Sequence, residues 1–277
     1  MFRDRIFVVI RGVAYTIPKG GVVNMSIYIT GDTHADFKRF GSQFFDDQKC
    51  YIIICGDFGG VWDNSNTEKY WLNWFENKKF TILFVDGNHE NFDLLNAFPV
   101  TEWNGGKVHV IRKNIIHLMR GQVFTVNGIR FFTFGGGQSH DIQAGILDRS
   151  DPDFFSKRKK LDRERAQYRI NHESWWKEEL PSEEEMAEGL ANLDKVGNQV
   201  DFVISHSAPS SVVDIFSRGF YAHDILTDYL EKIKERISFK TWFFGHYHET
   251  QIIGQKFVML YESVVDLQQF LSSGDED

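Results

Sequence analysis

Five short apolar runs along the chain end alike. Ser26–Thr30 passes into Gly31-Asp32, residues 51–55 into Gly56-Asp57, and residues 81–85 into Asp86-Gly87-Asn88-His89. Residues 201–205 pass into His206, and Thr241–Phe244 into Gly245-His246. Each run has four or five mostly β-branched or aromatic residues, too short for a helix and suited to a buried strand. Residues 67–79 and 224–237 carry apolar side chains at i, i+3, i+4 spacing, and Ser182 with Glu185 forms a capping box opening another helix. Strands alternating with helices predict an α/β fold. A second group of runs, 108–111, 115–119, Gln122–Val126 and Ile129–Phe134, has no intervening helices, and Asn127-Gly128 marks a two-residue hairpin. Parallel strands in one part and antiparallel strands in another predict two sheets packed together.

Composition sharpens this picture. Of 277 residues, 42% are hydrophobic, which excludes disorder over most of the chain. Phe is in surplus, 26 against 9 Tyr and 7 Trp, so Phe must fill much of the core. No apolar run approaches the roughly 18–20 residues of a membrane helix, and no membrane partner is expected. The balance of 31 Lys+Arg against 39 Asp+Glu gives −8, which argues against bulk attraction to nucleic acid or anionic lipid. Cys50 and Cys55 frame one predicted strand. Five steps span roughly 16 Å and set the two thiols on opposite faces, so no disulfide joins them and a reduced, cytoplasmic protein is expected.

Arg3 and Arg5 ahead of residues 6–10 imitate a signal peptide, but Arg11 interrupts the apolar stretch and no cleavage pattern follows, so no export is expected. Residues 1–24 are set apart as an N-terminal extension with two open readings. Met25 leads directly into the first strand, and Lys19-Gly20-Gly21 is what an in-frame AAAGGAGG ribosome-binding sequence would encode, which places the start of translation at Met25. Alternatively, residues 3–10 and 13–17 form a hairpin around Arg11-Gly12. Residues 25–277 are expected to form one domain, with a charged insertion at about 138–176 after Gly135-Gly136-Gly137. The insertion holds the one basic concentration, Lys157, Arg158, Lys159 and Lys160 with Arg163, Arg165 and Arg169. It reads either as a solvated helix face or as a lid or rim that attracts an anionic substrate. The glycine triplet reads either as a source of backbone N–H groups for phosphate or as a strand-exit turn. The tail, residues 274–277, is expected to fray.

The strand ends supply Asp32, His34, Asp57, Asn88, His206, His246 and His248. Ligands of open α/β sheets bind at the carboxyl ends of strands, so these side chains can converge from distant positions. In extended chain, residues i and i+2 point the same way, which makes Asp32/His34 and His246/His248 two potential pincers. Glycine before Asp32, Asp57, Asn88 and His246 is expected to let the chain turn sharply. Oxygen and imidazole ligands without thiolate suit Mn, Fe or Zn. Seven such side chains exceed the needs of one tetrahedral ion and point to two divalent ions.

Asp32-Thr33-His34, Gly56-Asp57, Gly87-Asn88-His89-Glu90, His206 and Gly245-His246-Tyr247-His248 resemble, in order and approximate spacing from residue 26 to about 250, the five motifs of the calcineurin-like metallophosphoesterases. The resemblance implies an α/β fold, a four-layer αββα sandwich of two mixed β-sheets flanked by helices. It implies that Asp32, His34 and His248 hold one metal, that Asn88, His206 and His246 hold a second, and that Asp57 bridges them. The implied activity is phosphomonoester or phosphodiester hydrolysis by a metal-bridging hydroxide on a small phosphorylated substrate. His89 would face the scissile phosphate, as transition-state stabiliser or as the acid for the leaving oxygen, which suits an imidazole beside a ligating Asn. Glu90 is expected to orient the turn, and His140 and His223 are further candidates for substrate contact. After Gly56-Asp57 the run Phe58-Gly59-Gly60-Val61-Trp62 lacks the Asp-Arg-Gly of the family's protein phosphatases, and with it an arginine to grip phosphate. The segments 134–141 and 175–182 resemble a small bacterial and phage-type subgroup. A nuclease acting on DNA or RNA is the alternative, needing a basic groove that only residues 157–169 could supply. A non-catalytic binding protein on the same fold is the reading from another class.

Overall fold

The apolar runs become the strands that the pattern predicts, and the polar residues that follow them lie at the strands' carboxyl ends. The computed structural model describes residues 25–41, 45 and 49–271; both readings of residues 1–24, and the tail, lie outside the described residues. The first sheet contains β1 (Ser26–Thr30), β2 (Cys50–Ile54), β3 (Thr81–Phe84), β4 (Val100–Trp103), β5 (Gly106–Arg112), β6 (Ile115–Leu118) and β15 (Val264–Asp266), in the order β15-β1-β2-β3-β6-β5-β4. The second contains β7 (Gln122–Val126), β8 (Ile129–Phe134), β11 (Phe202–Ser205), β12 (Thr241–Phe244), β13 (Gln251–Ile253) and β14 (Phe257–Met259), in the order β13-β14-β12-β11-β8-β7. Both sheets are mixed. Parallel pairs run through β1-β2-β3-β6 and through β8-β11-β12-β14, with antiparallel strands at the edges.

The antiparallel group does not form a part of its own, as the strand pattern suggested. It is shared: β4–β6 complete the first sheet, and the β7–β8 hairpin completes the second. The hairpin turn has Asn127 and Gly128 at φ 53° and 79°, which twists in the sense the two strands require. The chain crosses between sheets at Met119, Arg120 and Gly121.

Alternation along the strands makes the layers. Ile27, Ile29, Ile53, Cys55, Leu83 and Val85 point inward, onto Phe131, Phe202, Ile204 and Phe243 of the second sheet. On the outer face of the first sheet, Cys50, Ile52, Ile54 and Phe84 pack under α1 (Asn66–Glu76), which buries Leu72 and Phe75. Each such side chain contributes about 1.5–3 kcal/mol. The Phe surplus is spent here: Phe58 stacks on Phe84 at 4.5 Å, and Phe37 meets Phe75 edge-on at 4.9 Å. Cys50 and Cys55 lie in different layers, both as free thiols.

A short α2 (Phe92–Leu95) follows the β3 loop, and α3 (Phe154–Glu164) lies in the charged insertion. The outer face of the second sheet is covered by α4 (Glu183–Lys195), α5 (Ser210–Ser217) and α6 (Ile225–Arg236). Both bonds of the Ser182/Glu185 capping box form, and Asp224 caps α6 through the N–H groups of Leu226 and Thr227. The result is helix, sheet, sheet, helix. Among the described residues no helix is long and apolar enough to cross a membrane.

One buried ion pair ties the crossover to the site. Arg120 donates through Nε to Asp86 Oδ2 at 2.8 Å, and His117 Nε2 lies 3.1 Å from Asp86 Oδ1. Burial alone would push the Asp86 carboxyl up, but the Arg120 charge and the His117 bond outweigh it and hold it well below the usual range. A buried pair broken on one side leaves an uncompensated charge. Arg120→Met should therefore cost about 3–5 kcal/mol in urea unfolding at pH 7. A depressed folded-state pKa stabilises above the unfolded value, 3.8, and the contribution fades as pH falls below it. The gap between variant and wild type should narrow there.

Candidate metal centre

The loops after β1, β2 and β3 meet those after β11 and β12, so the candidate residues straddle both sheets at their carboxyl ends. The first two loops are laced together: Thr33 and His34 donate backbone N–H to Asp57 O at 3.1 and 2.8 Å, and Thr33 Oγ1 bonds Phe58 O at 2.7 Å. Backbone strain concentrates here. His34, Asp57, His246 and His248 hold φ of 44°, 50°, 71° and 55°, a left-handed conformation that costs a non-glycine residue about 1–2 kcal/mol. Such outliers cluster where the surroundings over-determine a functional geometry.

The glycines before the candidate ligands serve close approach more than turning. A Cβ on Gly87 would lie 2.0 Å from Asp57 Oδ1, and one on Gly245 2.1 Å from Asp32 Oδ1. Of the four, only Gly56 has a positive φ, 93°. The expected sharp turn holds there alone.

Asp32, His34, Asp57 and His248 each offer one ligand atom, and these atoms lie within 4.8 Å of one another. His248 Nε2 is 3.3 Å from Asp32 Oδ2 and 3.0 Å from His34 Nε2, which is 3.6 Å from Asp57 Oδ2. On the other side of Asp57, His206 Nε2 is 3.2 Å from Asn88 Oδ1 and 3.4 Å from Asp57 Oδ1. His246 packs its ring against His206 at 4.8 Å, while its N–H donates to Asp32 Oδ1 at 3.0 Å.

His206 Nδ1 lies 2.7 Å from the Cys55 carbonyl, which only accepts, so Nδ1 donates there and Nε2 is the atom turned into the site. Nε2 faces two oxygens. Asp57 Oδ1 accepts from the His89 N–H at 2.8 Å, but the buried Oδ2 has no hydrogen-bond partner. An unsatisfied buried carboxylate oxygen is costly, and a divalent cation satisfies it. The donor set therefore fits metal. Burial, then the Asp32 charge, drives the Asp57 carboxyl well up. Burial also works on Asp32, but the His248 bond and the His206 charge overcome it and hold Asp32 down. Burial lowers His34 to about 4, and burial with the nearby Arg169 charge lowers His89 to about 3.

The cavity over this cluster has a volume of about 250 Å³ and is lined by His89, His140, Asp141, Arg169 and Tyr221 beside the candidate ligands. His140 stacks on Tyr221 at 4.4 Å and lies 4.6 Å from the His246 ring. His223 is not among the lining residues; it pairs on the surface with Asp214 at 2.9 Å. Glu90 accepts from the Phe58 N–H at 2.7 Å and so secures the turn after Asp57. Of the glycine triplet, Gly136 donates its N–H to Asp86 O and Gly137 to Glu179 O, so neither is available to phosphate. The strand-exit reading is the one that fits.

Ser139 and Glu179 were outside the expected set. Asn88 Nδ2 donates to Ser139 Oγ at 3.2 Å, Ser139 Oγ donates to Glu179 Oε2 at 2.6 Å, and Trp175 Nε1 donates to Glu179 Oε1 at 2.8 Å. This chain turns the Asn88 oxygen toward His206. The available signal was the pair of segments 134–141 and 175–182, which these bonds join. Arg169 stood in the sequence as one member of a basic run, with nothing to mark its position.

Residues 25–250 match a family model described as calcineurin-like phosphoesterase. No curated protein matches. A solved structure from Staphylococcus aureus, provisionally named a 5′-nucleotidase and bound to α-ketoglutarate, shares 14% identity at a TM-score of 0.40. The match covers 86% of this chain and 49% of that one, so the chain spans about half the length of that structure. Removing the Asn88 support should weaken divalent-metal affinity. Ser139→Ala is expected to lose about 10–100-fold in a calorimetric titration with Mn²⁺.

Proposed function

The chain belongs to the calcineurin-like phosphoesterases, and on that premise we propose that it is a two-metal phosphoric ester hydrolase acting on a small phosphorylated substrate. The observation that carries the two-metal reading is Asp57. It lies between Asp32, His34 and His248 on one side and Asn88 and His206 on the other, with Oδ2 buried and unpaired. In this reading Asp32, His34 and His248 would hold one divalent ion, Asn88, His206 and His246 would hold the other, and Asp57 would contribute to both. Bound Mn, Fe or Zn would supply Lewis acidity and lower a water pKa from 15.7 toward about 7, so no side-chain base is needed.

The chain's own residues then bind and orient. His89, held neutral by burial and by Arg169, meets a phosphoryl oxygen as an N–H donor. To protonate the leaving oxygen it must first gain a proton, which an adjacent dianionic phosphate favours. Its position is set by the bond from its own N–H to Asp57 and by the neighbouring Asn88. A cavity of about 250 Å³ suits a small ester, and the exposed Lys157, Arg158, Lys159 and Lys160 of α3 do not line it, which leaves the nuclease reading with less support. Two free buried thiols agree with a cytoplasmic location.

Turnover of p-nitrophenyl phosphate and bis(p-nitrophenyl) phosphate should be lost in EDTA and restored by Mn²⁺ or Zn²⁺. His89→Asn should lower kcat about 10²–10⁴-fold with metal content retained. Loss of both metals in that variant would show His89 to be a ligand. Faster cleavage of single-stranded or duplex DNA than of either ester would favour the nuclease.

A further inference from the structure

Of the basic residues in the insertion, Arg169 alone lines the cavity. It sits at the start of β10 (Arg169–Ile170), paired with β9 (Ile146–Leu147). The end of the insertion is anchored beside the Asn88-His89 loop, where Trp176 Nε1 donates to Asp93 Oδ2 at 2.8 Å and His172 Nδ1 meets the same carboxylate at 2.9 Å. The guanidinium is therefore carried on braced chain.

Its hydrogen bonds show how it is aimed. Arg169 Nε and Nη2 fork onto Asp141 at 2.8 and 2.6 Å, and Nη1 donates to Ser174 O at 3.2 Å. A guanidinium has five N–H groups, so three are committed and two remain, one on Nη1 and one on Nη2. Among the described residues these two have no acceptor. The side chain is 18% exposed and lines the same cavity as His89. Asp141 fills the Nε edge of the guanidinium and fixes its plane, and the two uncommitted N–H groups belong to a side chain in the cavity wall shared with His89. Guanidinium N–H groups make strong charge-assisted hydrogen bonds to phosphate oxygens.

We propose that Arg169, positioned by Asp141, binds the non-bridging oxygens of the substrate and selects a dianionic phosphomonoester over a monoanionic diester. The proposal rests on the phosphoesterase reading and adds the substrate class. A monoester keeps three terminal oxygens and two charges; a diester keeps two oxygens and one charge. A fixed cation in the wall of the cavity therefore favours the more highly charged monoester, and the charged insertion becomes the element that chooses the substrate.

The test uses the full chain loaded with Mn²⁺, comparing wild type, Arg169→Ala and Arg169→Lys. Arg169→Ala should raise KM for p-nitrophenyl phosphate, and Ki for inorganic phosphate, about 10–100-fold. KM for bis(p-nitrophenyl) phosphate should rise only about 3–10-fold, half the free energy, in keeping with its single charge. Arg169→Lys should recover only part of the loss, because an ammonium restores charge without the fork. An equal rise for both esters would identify the Asp141 pair as a structural staple and overturn the proposal. So would an unchanged KM for the monoester. Calorimetric binding of inorganic phosphate reads the same contact without turnover, and equal affinity in wild type and Arg169→Ala overturns it. Absence of wild-type turnover on either ester would instead count against the phosphoesterase reading.

Discussion

Two carboxylates buried side by side constrain everything around them. Asp32 and Asp57 are 0% and 1% exposed, at the ends of adjacent parallel strands. Like charges at close range in a low-dielectric site do not both ionise unaided, and the two are driven in opposite directions, Asp57 up and Asp32 down. Four histidines surround them: burial disfavours the charged form of His34 and His246, while the bond to Asp32 favours it at His248. A cationic partner would resolve the conflict, which is why the donor set fits a metal.

Holding such a cluster together takes several ranks of support, each from a different element. Gly87 and Gly245 admit the carboxylates to contact distance, and left-handed backbone at His34, Asp57, His246 and His248 sets the direction of these candidate ligands. Behind them, Glu90 holds the Asp57 turn, the Ser139–Glu179 chain orients Asn88, and the Asp86–Arg120 pair fixes the end of β3 to the crossover between sheets. These supports are buried and polar, so each is hydrogen-bonded to a neighbour whose place the packing fixes. Two sheets pressed face to face by Ile27, Ile53, Leu83, Phe202 and Phe243 give the rigidity that the strained loops need.

The charged insertion divides into two physical roles. The basic residues 157–160 on α3 face solvent, with Lys157 paired to Asp151 and Arg158 to Asp162. Arg169 is half-buried in the cavity wall and held by Asp141. Neither a wholly solvated face nor a whole lid describes the segment, because its strand pair carries one cation into the wall and leaves the others outside.

The five strands, the Ser182/Glu185 and Asp224 helix starts and the Asn127-Gly128 hairpin were legible in the sequence because each depends on contacts within a few residues. The convergence of Asp32, Asp57, Asn88, His206 and His246 was legible for a related reason: each follows a strand, and parallel strands present their carboxyl ends together. What the sequence could not carry were pairings set by packing between distant segments. The division of the antiparallel strands between two sheets, the bond from Ser139 to Glu179, the steric need for Gly87 and Gly245, and the placement of Arg169 but not Lys157 in the cavity wall all arise where chain far apart in sequence is forced into contact. The sequence by itself determined which residues could bind metal and phosphate. Tertiary structure decided which of them meet, because only burial between two sheets removes the water that would otherwise satisfy each one alone.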